Sequence, residues 1–151
     1  MTDAAIVHST FNLERHYAAP PDTVFAAWAD PAVKARWFAG PAAEHELDFR
    51  VGGRERAGGR HDGKLLSFES RYHDIVPGQR IVCSSTLAAD GTVVTVSVTT
   101  VEFTADGDGT RLSLTEQGTY LDGYEQPAWR QQGTGSQLDA LAAELTAAAT
   151  A

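Results

Sequence analysis

The chain has 151 residues, 42% hydrophobic and 21% charged, with 12 basic residues against 20 acidic ones for a formal charge of −8. That length suits one domain, which can bury a full core without disulfides or metal. The acidic balance, with no Lys/Arg cluster reversing it locally, argues against nucleic acid and anionic lipid as partners. No apolar run approaches the roughly 20 residues a membrane-spanning helix needs, and the N-terminus lacks the basic and apolar regions of a signal peptide. A cytoplasmic location without membrane insertion is expected.

Residues 1–8 read as a flexible start to a single domain over 9–149. From Ser9 to Tyr17, Phe11, Leu13 and Tyr17 alternate with Asn12, Glu14 and His16, the period of a half-buried strand. Ala19-Pro20-Pro21-Asp22 breaks it and opens a helix with Val24, Phe25 and Trp28 on one face. Asp30-Pro31 stops this helix and starts a second short one carrying Val33, Trp37 and Phe38, which Gly40-Pro41 ends.

Strand signals follow in series. His45, Leu47, Phe49 and Val51 alternate with Glu46, Asp48 and Arg50. Gly52-Gly53 and Gly58-Gly59 bracket a short strand, and His61-Asp62-Gly63 reads as a turn. Leu66, Phe68, Ser70 and Tyr72 alternate next, up to Pro77-Gly78. Arg80–Leu87 and Thr92–Phe103 are rich in Val, Ile and Thr, and the Asp90-Gly91 between them is a hairpin cue. The turn 106–109 leads into a last strand from Thr110. Such closely spaced segments predict an antiparallel meander rather than a parallel βαβ sheet.

From Pro127 to Ala149 the chain is rich in Ala, Leu, Gln and Glu, with Leu138, Leu141, Ala142 and Leu145 at helical spacing. Gly133 and Gly135 fall inside this helix, where each costs nearly 1 kcal/mol against alanine. Their presence implies either the close approach of another element or space left open beside the helix.

The order strand, two short helices, about six antiparallel strands and one long helix resembles the helix-grip fold of the START-like (SRPBCC) superfamily, shared with birch-pollen-allergen-like proteins and polyketide cyclases. Arg15, the run Ala19–Trp28 (APPDTVFAAW), Asp30-Pro31 and Trp37-Phe38 are similar to the opening of the family named for the activator of heat-shock-protein ATPase. Asp48–Gly53 (DFRVGG), Ile75–Val82 (IVPGQRIV) and Gly109–Leu114 (GTRLSL) resemble its later blocks, and Gly118–Leu145 its closing helix. The expectation is an α+β helix-grip fold: a curved antiparallel β-sheet wrapped around a long C-terminal α-helix, with two short helices after the first strand. One departure is that Gly133 is followed by Thr134-Gly135-Ser136, where many members have Gly-Trp, which implies a differently shaped cavity.

The resemblance implies a hollow between sheet and helix, and it turns an aromatic set that would otherwise read as plain core into a candidate ligand wall. The candidate ligand-binding residues are Trp37, Phe38, Phe49, Phe68, Tyr72, Tyr120, Trp129 and Leu138, with Trp37 and Phe38 near the mouth. The expected ligand is a small apolar molecule, lipid- or polyketide-like. The alternatives are a cyclase or dehydratase using Arg15 or a cavity carboxylate, and a co-chaperone-like module contacting a heat-shock ATPase; a homodimer is a further partner to consider.

No catalytic residue is assigned among the carboxylates considered, Glu14, Glu46, Asp48, Glu69 and Glu116. Arg15 shares a face with Phe11 and Leu13, and a buried guanidinium must be paired, so Asp48 or Glu116 is its expected partner in a structural ion pair. No cofactor or metal is expected. The five histidines are scattered, and His45 and Glu46 point to opposite faces of one strand. The glycine pairs separate strands, so they read as hairpins and bulges rather than as a phosphate cradle. Cys83, the lone cysteine, lies in an apolar strand and reads as a small core group.

Overall fold

The computed structural model describes residues 5–40 and 43–150. Strand β1 (Ile6–Tyr17) is followed by helix α1 (Pro21–Ala29) and the short helix α2 (Pro31–Lys34), which runs on into a π-helical turn at Ala35–Ala39. Six strands come next: β2 (Glu44–Leu47), β3 (Arg54–His61), β4 (Lys64–Val76), β5 (Arg80–Ala89), β6 (Thr92–Asp106) and β7 (Gly109–Leu121). Helix α3 (Pro127–Thr150) closes the chain. The seven strands form one antiparallel sheet in the order β1-β7-β6-β5-β4-β3-β2. This is the helix-grip architecture expected from the order of elements.

Local chemistry accounts for the joints. Asp30 accepts hydrogen bonds from the Ala32 and Val33 amides at 2.9 and 3.3 Å, capping α2, whose first residue is Pro31. Asp62-Gly63 and Asp90-Gly91 all have positive φ, the paired left-handed residues of a tight hairpin that matches strand twist. Gly53 is a case of close approach: a Cβ there would lie 2.1 Å from the Asp48 carbonyl oxygen.

Three boundaries differ from the sequence reading. β1 begins at Ile6, paired with Leu121, so Ile6–His8 belong to the sheet, while residues 1–4 lie outside the described residues. β2 stops at Leu47, because the chain turns tightly between Asp48 and Gly53, with the Arg50 and Gly53 amides donating to the Asp48 and Arg50 carbonyls. β3 runs through Gly58-Gly59 to His61, since both glycines keep their places in the ladder with β4. Pro41, the second half of the expected Gly40-Pro41 stop, is outside the described residues.

Helix α3 and the α1–α2 corner cover the concave face of the sheet. At the α1 end the space is filled. Val24, Leu112 and Leu141 are wholly buried there, with Phe11, Tyr17, Phe25, Trp28 and Phe103 around them. Phe25 meets Phe103 edge-on at 5.4 Å, Trp28 meets Trp37 at 4.8 Å, and the Tyr17 hydroxyl donates to the Leu138 carbonyl at 2.9 Å. Arg36, on the π-turn, pairs with Glu144 of α3. No helix among the described residues is long and apolar enough to cross a membrane.

Candidate functional site: a cavity with two charged poles

Away from that core the concave space is open. A cavity of about 460 Å³ lies between β3–β7 and the first half of α3. Phe68, Leu66 and Leu87 form apolar parts of its wall, and Trp129, Gly133 and Gln137 of α3 border it opposite. Trp129 is 62% exposed and stands on the solvent side. Trp37, by contrast, is buried, with its indole N–H donated to the Ala27 carbonyl at 2.9 Å, so it belongs to the inner wall rather than the mouth.

The two helix glycines have different reasons. A Cβ on Gly133 would meet nothing within 4 Å, which is open space beside the cavity. A Cβ on Gly135 would come 3.3 Å from a guanidinium nitrogen of Arg15, which is close approach. Both alternatives raised by the sequence occur, one at each position.

One pole of the cavity is built from four elements. Lys34 Nζ lies 2.6 Å from Glu55 Oε1, and the Tyr72 hydroxyl donates to the same oxygen at 2.8 Å. Lys34 also donates to the Tyr72 oxygen at 3.1 Å, while His45 Nε2 stands 2.7 Å from Glu55 Oε2. The side chains of Lys34, His45 and Glu55 are no more than 3% exposed. The Lys34 ammonium sits 4.4 Å from the centre of the Phe38 ring, a cation–π contact that offsets part of its lost hydration.

Burial alone would raise the Glu55 pKa, but Lys34 and the hydrogen bonds from His45, Lys34 and Tyr72 outweigh it and hold the carboxyl below the usual glutamate value. Burial, followed by the neighbouring Glu55 charge, pushes Tyr72 far up, so its hydroxyl keeps its proton while it donates to Glu55 and accepts from Lys34. Burial likewise pushes the Cys83 thiol up to about 11, which keeps it protonated and in the role of a small wall residue.

The other pole joins β6, β7 and α3. Arg130 donates from Nε to Glu116 at 2.5 Å, from Nη1 to Glu125 at 3.0 Å and from Nη2 to Ser97 at 3.0 Å. Thr99 donates to Glu116 at 2.9 Å and Thr95 to Glu125 at 2.7 Å. Burial works against the Arg130 charge, yet the two carboxylates raise its pKa above the ordinary arginine value. Two buried polar atoms have no partner among the described residues: Trp28 Nε1 and the Tyr120 hydroxyl.

Of the candidate ligand-wall residues, Trp37, Phe38, Phe68, Tyr72, Trp129 and Leu138 line the cavity. Phe49 does not, because it packs edge-on against Phe25 at 5.7 Å and Tyr72 at 5.1 Å. Tyr120 does not either: its ring lies over Gly118, where a Cβ would be 2.7 Å from it. The expected ion pair is rearranged as well. Arg15 pairs with Asp139 at 3.1 Å, since its strand faces α3 rather than the Asp48 turn; Asp48 pairs with Arg50 at the surface, and Glu116 with Arg130.

Lys34, His45 and Glu55 were not singled out from the sequence as a set. A signal for Lys34 existed, since it lies three and four residues before Trp37 and Phe38 and so shares their inward helical face. The His45–Glu55 contact depends on the β2–β3 register, in which Leu47 opposes Glu55. Among the described residues, no group of three or more potential metal ligands converges.

A seven-stranded antiparallel sheet gripping a C-terminal helix over a lined hollow defines a START-like, helix-grip protein. The chain matches the family described as Activator of Hsp90 ATPase homolog 1-like protein over residues 18–146, and it belongs to that family. Among solved structures it is similar to protein Mll3558 of Rhizobium loti, with 46% identity over 93% of this chain and 99% of that one and a TM-score of 0.87. It is also similar to a protein of Rhizobium leguminosarum, with 40% identity over 96% and 99% of the two chains and a TM-score of 0.91. It shares its fold with Ara h 8.0201 at 14% identity, over 93% and 99% of the two chains, with a TM-score of 0.73. No curated protein matches the chain.

Proposed function

We propose that this protein binds a small, largely apolar molecule in the cavity between the concave face of the sheet and α3. The observation that carries this reading is the unfilled space itself. About 460 Å³ falls within the range of small-molecule sites, and its wall combines aromatic and aliphatic surface with a few polar groups at defined places. A domain that needed only stability would close such a space, since empty volume beside packed side chains costs contact energy.

The test is native mass spectrometry of gently purified protein, together with an NMR titration against lipids, flavonoids and polyketides. Resonances of Phe68, Trp129 and Leu138 should shift while those of Phe25 and Leu112 stay still. Gly133→Phe supplies the control: it projects a ring into open space, so the protein should fold and lose the ligand. If no compound moves the wall residues of the wild type, the reading is wrong.

A second reading, an enzyme of the cyclase or dehydratase type, is favoured by one observation: Lys34, Glu55 and Tyr72 lie within mutual hydrogen-bond reach on the cavity wall. In that case bound ligand would be recovered chemically changed, and Tyr72→Phe would slow the change without weakening binding. Quantitative recovery of unchanged ligand after long incubation would dismiss it.

A further inference from the structure

The registers of β3 to β7 place polar side chains in two adjacent rows across the cavity floor. One row runs Glu55, Ser70, Ser85, Ser97 through successive cross-strand partners, and the next runs Tyr72, Cys83, Thr99, Glu116. All but Ser97 line the cavity, and Ser97 is covered by the Arg130 guanidinium that donates to it. The second row crosses three strand intervals, roughly 14 Å at about 4.7–4.9 Å each. A polar track therefore joins the Lys34–Glu55 pole to the Arg130 pole, with the apolar pair Phe68 and Leu87 beside it on the same sheet face and Trp129, Gly133 and Leu138 of α3 opposite.

Beside the acceptor sites of its carboxylates and hydroxyls, the track holds donors that an oxygen of a ligand could engage. Arg130 has five N–H groups, of which three have the partners described and two have none among the described residues. Ser70 and Ser85 share one hydrogen bond of 2.6 Å, which uses one of their two hydroxyl protons. Whichever serine donates, the other keeps a proton that a ligand oxygen could accept.

The charges on the track leave no room for an anion. Lys34 is matched by Glu55, and Arg130 is outnumbered by Glu116 and Glu125, which gives that pole a formal charge of −1. The remaining arginine of the wall, Arg60, is exposed, and solvent screens it. An ionised head group would lose its hydration and meet an excess of carboxylate.

We infer that the cavity selects elongated, uncharged ligands carrying acceptor oxygens along one edge, and that Glu125 sets the discrimination against carboxylates. This rests on the ligand-binding reading above and specifies its ligand class. Glu125 suits the role because one of its oxygens, Oε1, accepts from both Arg130 and Thr95, so a glutamine can keep both bonds while removing the charge.

Three probes of one skeleton separate the effects: anthracene, 9,10-anthraquinone and 2-anthracenecarboxylate, titrated at pH 7 and followed by tryptophan fluorescence. Wild-type protein should bind the quinone about tenfold tighter than the carboxylate. Glu125→Gln should shrink that ratio about tenfold, chiefly by tightening the carboxylate. The double variant S70A/S85A should lower the quinone-to-anthracene preference about tenfold. A carboxylate that binds the wild type as well as the quinone does, a ratio that E125Q leaves unchanged, or a preference that S70A/S85A leaves unchanged overturns the inference while leaving ligand binding intact. If none of the three probes binds, this inference is overturned, and the panel of lipids, flavonoids and polyketides decides the binding function separately.

Discussion

The two ends of the concave space are made from the same materials and are used differently. At the α1 end, Phe11, Phe25, Phe103, Leu112 and Leu141 interlock; the Tyr17 hydroxyl reaches the Leu138 carbonyl there, and the Trp28 indole N–H has no partner among the described residues. At the other end, Phe38 touches Trp37 and Phe68, each at 5.8 Å, but these rings leave a hollow beside them, and charged side chains line it in paired sets. The helix joins the two: Leu138, Leu141 and Leu145 pack into the core, whereas Trp129, Gly133 and Gln137 border open space. Rigidity concentrated at one end lets the other remain hollow without collapsing.

The comparison is broken most severely by disturbing the polar wall of the hollow end. Lys34→Met keeps a similar shape but leaves Glu55 buried without its cation, and it should cost about 3–5 kcal/mol in urea denaturation. K34M/E55M should recover part of that loss, because no uncompensated charge remains. The same pair predicts a pH dependence. The Glu55 pKa is lower folded than unfolded, so its stabilising contribution is present above the ordinary glutamate value of about 4.3. It is lost as the pH falls through the lower, folded value. Wild-type stability should therefore decline below about pH 4 more steeply than that of K34M/E55M, and parallel pH profiles would contradict this.

Next in size is a matched pair of truncations. Leu141→Ala, in the filled end, should cost about 2–5 kcal/mol because a wholly buried side chain leaves a cavity behind. Phe68→Ala removes a larger side chain from a half-buried wall position, so it should cost less than L141A and act on ligand affinity instead. Equal losses would mean that the two ends are packed alike.

Much of this division was hidden in the sequence, for physical reasons. Strand alternation, the Asp90-Gly91 hairpin and the Asp30-Pro31 corner are local, set by residues within a few positions of each other, and the architecture and family resemblance followed from them. Alternation says which residues face inward but not whether they meet a neighbour: Phe49 and Phe68 read alike, yet one packs on Phe25 and the other borders the cavity. The Lys34–Glu55–His45–Tyr72 cluster draws on α2, β3, β2 and β4, so it exists only once the register and the π-turn are set. Arg15 pairs with a carboxylate other than the expected Asp48 or Glu116: Asp139 is 124 residues away on a helix whose rotation the spacing of leucines leaves loosely defined.

Gly135 allows the finest probe of that helix. Replacing it with alanine restores helix propensity worth nearly 1 kcal/mol. Against this, the new methyl group would stand 3.3 Å from the Arg15 guanidinium, tighter than normal contact. The atom that must move is the far end of a flexible side chain that is one-third exposed, and its salt bridge to the exposed Asp139 contributes little. The guanidinium should therefore shift by a few tenths of an ångström, leaving G135A more stable than wild type by somewhat under 1 kcal/mol in thermal or urea denaturation. A destabilised G135A would show that Arg15 is held firmly and that α3 cannot yield along its contact with β1. Part of the rigidity of the filled end would then reach past Leu138 toward the cavity.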